Sequence, residues 1–259
     1  IKNGLVSTYG PYRRLFENKI KSITNAKYVL AVNSGTTALQ LSIKVLNLPK
    51  NSEILMPSLT FVATANSALY NGLIPHFVDT EQENFGIDFD ELDKYLQKNT
   101  LLENKKIINK KTKRHISAIM PVHLFGHAVD CKKLLKVSKK YKLKIIEDAA
   151  EALGTKFNNK HLGLFGNIGC LSFNGNKIIT TGAGGAILTN KKKLYEKAYY
   201  YANIAKKNSD IDLIHDDVGF NFLMPNLNAS LGISQINRFY LYLANKRKLF
   251  KKYNEIFKN

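Results

Sequence analysis

A chain of 259 residues with 44% apolar content is long enough to bury one large core. Thirty-nine basic against twenty acidic side chains leave a net charge of +19, a balance that suits an anionic partner: nucleic acid, a membrane surface or a phosphorylated small molecule. No apolar run reaches the length of a membrane span and no signal peptide is legible. With only two well-separated cysteines, Cys131 and Cys170, and hence no disulfide framework, a reducing, cytoplasmic location is expected.

The lysines are spread through many segments beside asparagine and isoleucine, which reads as compositional bias and argues against a nucleic-acid-binding patch. The chain opens at Ile1 rather than at a methionine and closes in a lysine-rich helical segment, Lys246–Asn259, so it reads as a trimmed protein or a piece of a longer product.

In chain order, a polar opening, Ser7-Thr8-Tyr9-Gly10-Pro11, leads into a helical pattern through Leu15, Ile20 and Ile23. Tyr28–Val32 is a short strand. Asn33-Ser34-Gly35-Thr36-Thr37 follows it, and Leu39, Ile43 and Leu46 then recur at helical spacing. Small polar residues and a glycine at a helix start make an anion site, because first-turn amides are unsatisfied and the helix dipole favours negative charge. A plain N-cap by Ser34 or Thr36 accounts for the same residues. Ile54–Pro57 is a strand end and Phe61–Tyr70 a helix; Pro75–Val78 is a strand, and a helix runs after Asp88 through Leu92 and Leu96. The lysine- and asparagine-rich stretch Lys98–Lys113 reads as a loop. The strand His115–Pro121, the helix Cys131–Tyr141 and the strand Leu143–Glu147 come next.

Alternating strands and helices predict an α/β fold with a mostly parallel sheet covered on both faces, and such sheets bind ligands at the carboxyl ends of their strands. The residues just past each strand form a coherent set: Gly35, Thr36 and Thr37; Ser58 through Phe61; His123; Asp148 and Glu151; Ser172 and Lys177. Hydroxyls and helix starts suit a phosphate, an aromatic suits a flat ring, a carboxylate suits a protonated ring nitrogen, and a lysine suits an aldehyde. That is the inventory for pyridoxal 5'-phosphate. Lys177 stands out within it. It lies in Gly169–Gly185, where a buried run, Cys170–Phe173, passes through Asn174-Gly175-Asn176, a turn signature, before the lysine. A lysine desolvated there becomes a nucleophilic amine able to form a Schiff base; one more surface lysine is the plainer reading.

The sequence resembles the DegT/DnrJ/EryC1/StrS family of pyridoxal-phosphate sugar aminotransferases. The likeness spans nearly the whole chain, through Asn33–Leu39, Pro57–Thr64, Glu147–Gly154, Ser172–Lys177 and Val218–Phe222. Thr60–Ala65 and Met224–Ala229 look most like the branch that aminates UDP-linked 4-keto-6-deoxy sugars on the way to legionaminic- or bacillosamine-type sugars. The resemblance implies the aspartate-aminotransferase fold, a large cofactor domain over residues 1–235, and the start of a small C-terminal domain, most of it missing, over 236–259.

It also implies roles. Lys177 would hold the cofactor and shuttle the substrate proton; Asp148 would pair with the pyridine nitrogen; Glu151 would sit near the ring hydroxyl; Phe61 would stack on the ring. Gly35, Thr36, Thr37 and Ser172 would bind the phosphate, and Asn221 would reach the phosphate in a partner subunit, giving a homodimer with shared sites. No metal is implied. Glutamate is the implied donor and a nucleotide-linked keto sugar the acceptor. Leu223 departs from the arginine common in relatives, and Ala183 interrupts their glycine run. A cofactor-binding homologue with little turnover, and a basic nucleic-acid-binding protein, remain as alternatives; 2-oxoglutarate formation from glutamate and salt-sensitive nucleic-acid affinity distinguish them.

Overall fold

The computed structural model describes residues 4–104, 106–207 and 214–257. In chain order it contains α1 (Tyr12–Thr24), β1 (Tyr28–Val32), α2 (Gly35–Leu46), β2 (Glu53–Pro57), α3 (Val62–Leu69), β3 (Ile74–Val78), α4 (Phe89–Asn99), β4 (Thr100–Glu103), β5 (Lys106–Asn109) and β6 (Ile116–Ile119). There follow α5 (Cys131–Tyr141), β7 (Lys144–Asp148), β8 (Lys156–Phe157), β9 (Lys160–His161), β10 (Ile168–Ser172), β11 (Gly185–Thr189), α6 (Lys192–Ala202), α7 (Asn226–Ile236) and α8 (Phe239–Ile256).

Seven strands form one sheet in the order β1-β11-β10-β7-β6-β2-β3. β11 pairs antiparallel with both β1 and β10, and every other pairing is parallel. All the strands but β11 therefore point the same way, and their carboxyl ends share one edge. This is the expected mostly parallel sheet, with one reversed strand inside it.

The strands are apolar on both faces because both faces are covered. Along β1, Val29 and Ala31 join a core with Phe16 and Ile20 of α1, Leu134 of α5 and Ala229 of α7. Leu30 and Val32 point the other way, into a second core with Leu39 and Ile43 of α2 and Ala198 of α6. Period-two alternation thus feeds two separate helix layers.

The stretch Lys98–Lys113 is a correction: it holds the hairpin β4–β5, with Leu101 opposite Ile108 and Leu102 opposite Ile107. Only Ile107 and Asn109 of this ribbon are buried, so its composition carries no strand signal. Both cysteines are free and buried. Among the described residues no helix is long and apolar enough to cross a membrane.

Candidate active site

The segment joining β10 to β11 arches over the carboxyl edge of the sheet. Phe173 anchors it: the ring is fully buried, packs edge-on to Phe16 at 5.0 Å, and its N–H donates to the Gly184 carbonyl at 2.8 Å. Thr181 N–H returns to the Phe173 carbonyl at 3.0 Å, and Lys177 N–H closes the turn on the Asn174 carbonyl at 3.0 Å. The arch delivers the Lys177 side chain inward, 17% exposed, with Nζ 2.9 Å from Glu151 Oε1.

Glu151 has a second attachment. Its Oε2 accepts the Phe125 N–H at 2.8 Å. Phe125 stands in the left-handed region at φ 53°, and Gly126 follows at φ 82°. A Cβ on Gly126 would lie 2.9 Å from the Glu151 carbonyl oxygen, so glycine there lets the loop close onto that residue.

Asp148 ends β7. It is buried, with Oδ2 accepting Thr64 Oγ1 at 2.7 Å and Oδ1 accepting the Ala150 N–H at 3.2 Å. Burial pushes its carboxyl above the usual range, against the opposing pull of the Thr64 and Ala150 hydrogen bonds and of His123 and Lys177. The loop after the neighbouring strand β6 supports it: His123 N–H donates to the Asp148 carbonyl at 2.9 Å, and His123 Nε2 lies 3.1 Å from Glu147 Oε2. Glu147 is fully buried and also accepts the Gly163 and Gly166 N–H groups.

At the other end, Ser34 caps α2. Its Oγ accepts the Thr37 N–H at 3.1 Å, and Thr37 Oγ1 accepts the Ser34 N–H at 3.1 Å. This capping box uses the third amide of the helix and leaves the Gly35 and Thr36 amides at its open start. A Cβ on Gly35 would come 2.9 Å from Ser172 Cβ, so glycine lets α2 begin against Ser172 at the end of β10.

These groups surround one cavity of about 580 Å³. Gly35, Thr36, Phe61, Asp148, Glu151, Ser172 and Lys177 line it, as does His123. Phe61 is the residue before α3, 74% exposed on the wall. Thr37 is not brought in: its hydroxyl is held at 2.7 Å by Asn33 Oδ1. Asn221 lies outside, exposed, its carbonyl 3.3 Å from Asn33 Nδ2. Lys156 and Lys160 are on the β8–β9 hairpin, away from the lining. Thr60, one of the strand-end set, lines the wall as expected; Phe125, also on the wall, and Thr64, bonded to Thr60 behind it, were given no role from the sequence. The Thr60–Thr64 spacing, four residues apart at a helix start, was the available signal.

The model of the DegT/DnrJ/EryC1/StrS aminotransferase family matches residues 1–259. The chain belongs to that family. Its members are pyridoxal-phosphate enzymes acting on sugars, and the sheet with its helices is the fold type I aminotransferase architecture. GDP-perosamine synthase of Escherichia coli O157:H7 is 34% identical over 244 residues, 94% of this chain and 62% of that protein. The UDP-4-amino-4,6-dideoxy-N-acetyl-beta-L-altrosamine transaminase of Helicobacter pylori is 30% identical over 268 residues, 100% of this chain and 65% of that one. The solved structure of ntda from Bacillus subtilis with bound cofactor pmp superposes with a TM-score of 0.79 at 30% identity, over 93% of this chain and 51% of that one. The chain therefore spans about two thirds or less of each of these relatives.

Proposed function

We propose that this chain forms the cofactor-binding part of an aminotransferase that moves an amino group from glutamate to the keto group of a nucleotide-linked 4-keto-6-deoxy sugar. The observation that carries this reading is one cavity faced by an amine, a buried carboxylate and the open start of a helix. These groups fit pyridoxal phosphate. Asp148 has one side-chain donor for a buried carboxylate, which leaves room for a pyridine N–H. Gly35 and Thr36 offer amides, and Ser172 a hydroxyl, to a phosphate. Lys177 would hold the aldehyde carbon, and Phe61 would cover a ring face.

When bound, the cofactor supplies an electron-accepting ring that stabilises the carbanion left by loss of the donor's α-proton. Asp148 maintains positive charge at the ring nitrogen. The Lys177 amine would take that α-proton and give it back two atoms further along, as base and then acid. Glu151, 2.9 Å from Nζ, aims the amine and balances its charge.

UDP is the nucleotide implied by the closer sequence likeness, although three relatives are named for a GDP sugar. A homodimer completes the proposal, with Asn221 presented to the partner's phosphate. Residues 236–259 are proposed as the start of a second domain; its head is tied to the first by Ile236 and Phe239, buried in the large core, while Phe250, Tyr253, Ile256 and Phe257 further along are exposed.

Borohydride reduction in the presence of pyridoxal phosphate should fix a label on Lys177, found by peptide mapping. Glutamate with UDP- or GDP-linked 4-keto-6-deoxyhexose should then yield 2-oxoglutarate. An unlabelled Lys177 would overturn the reading.

A further inference from the structure

We propose that Thr64 is a positioning residue for Asp148, and that with Thr60 it forms a hydroxyl chain that aims the buried carboxylate and keeps it charged toward a protonated pyridine ring. The proposal rests on the cofactor reading above. Thr64 is fully buried in the first turn of α3, and its Oγ1 donates to Asp148 Oδ2 at 2.7 Å. Its Oγ1 is also 2.7 Å from Thr60 Oγ1, on the cavity wall. A hydroxyl has one proton. With an ionised Asp148 accepting that proton, Thr64 must receive the proton of Thr60, so the chain runs from the cavity inward and its polarity is set by the charge on Asp148. Each donor in the row strengthens the next.

The arrangement matters because Thr64 is the one side-chain donor to Asp148 among the described residues, beside a single backbone donor, the Ala150 N–H. Among the described residues, Asp148 meets the Ala150 N–H at 3.2 Å from its own segment, His123 from the loop after β6, Lys177 from the arch and Cys170 beside it on β10, with Glu151 on the same cavity. Glu151 is itself a carboxylate, and His123 is held by Glu147 on the other face of β7. Of the groups that oppose the effect of burial on Asp148, the Thr64 hydrogen bond ranks first. Threonine suits the position because its methyl fills the apolar side while its hydroxyl reaches the acid. Valine would match the shape and abolish the bond.

The test is the affinity of the protein for pyridoxal phosphate, by equilibrium dialysis across pH, in Thr64→Val, Thr64→Ser and Thr60→Val. Loss of a hydrogen bond to a charged group should weaken binding at neutral pH about tenfold in Thr64→Val. Without that donor the carboxylate protonates at higher pH, so the acid limit of binding should move up by about one pH unit. Thr64→Ser should restore both quantities, and Thr60→Val should move them the same way by less. Wild-type affinity and pH profile in Thr64→Val would overturn the proposal, as would weaker binding with an unmoved acid limit. Should Thr64→Val fail to fold, an unmoved acid limit in Thr60→Val overturns it. A wild-type chain that takes no label on Lys177 removes the cofactor reading itself; a labelled wild type with an indifferent Thr64→Val removes this proposal alone.

Discussion

Two buried carboxylates at opposite ends of the sheet have opposite character. Glu53, at the amino end of β2, is 2% exposed and saturated: His76 Nδ1 at 2.6 Å and Asn109 Nδ2 at 2.9 Å meet Oε2, and Thr112 Oγ1 meets Oε1 at 2.5 Å. Burial raises its pKa, but the bonds from Thr112, Asn109 and His76 together prevail and hold it below the usual range. Asp148, at the carboxyl end of β7, has one side-chain donor, and burial wins. Saturation marks Glu53 as structural; it ties the β5 end and the following turn to the sheet. Undersaturation beside a cavity is the feature of Asp148 that the proposed pairing with a ring cation uses.

The largest effect that breaks this comparison is at its active end. Lys177→Ala should abolish the borohydride label and lower transamination by about a thousandfold or more, measured as 2-oxoglutarate formation. Asp148→Asn should follow, at about a hundredfold, because the neutral amide cannot hold charge at the ring nitrogen.

The cofactor-free protein sharpens the contrast through pH. Asp148, with a raised pKa, binds its proton more tightly folded than unfolded. Its contribution to stability therefore falls as pH rises from the ordinary aspartate value to the raised one, and Asp148→Asn should remove that slope from denaturant titrations. Glu53, with a lowered pKa, contributes stability that is present above its unfolded value and lost as pH falls through the folded one. Glu53→Gln should cost about 1–3 kcal/mol in urea titrations at neutral pH, since its amide turns a donor toward donors. It should leave the Lys177 label intact.

The smallest effect is at the cavity mouth. Phe125 holds φ 53° and is 72% exposed, so the residue bears left-handed strain without compensating burial. Phe125→Gly should raise stability by about 1 kcal/mol or less, the relief being partly offset by glycine's freedom in the unfolded chain.

Much of this was legible in advance because it is local. Apolar periodicity located Tyr28–Val32 and Cys131–Tyr141 at their structural bounds, and alternation of strand with helix implied a parallel sheet. Residues just past strand ends, including Lys177 and Asp148, were candidates for one edge on that ground. The β4–β5 ribbon was hidden because its pairing buries little. Thr37 looked equivalent to Thr36, yet the capping box turns its hydroxyl back to Asn33 and Ser34. Helix phase and rotamer made that difference, and neither is written in composition.

The sequence by itself determined the alternation, the family motifs and the residue types available at the strand ends, since these depend on neighbours along the chain. Only the tertiary structure decided that β11 runs backwards between β1 and β10, which carries the β10–β11 arch and its lysine over the sheet edge. Only it decided that Asp148 is left with one side-chain donor while Glu53 has three. Hydrogen-bond partners more than fifty residues apart are set by packing, and packing is what leaves one buried acid saturated and the other with a single side-chain donor beside the cavity.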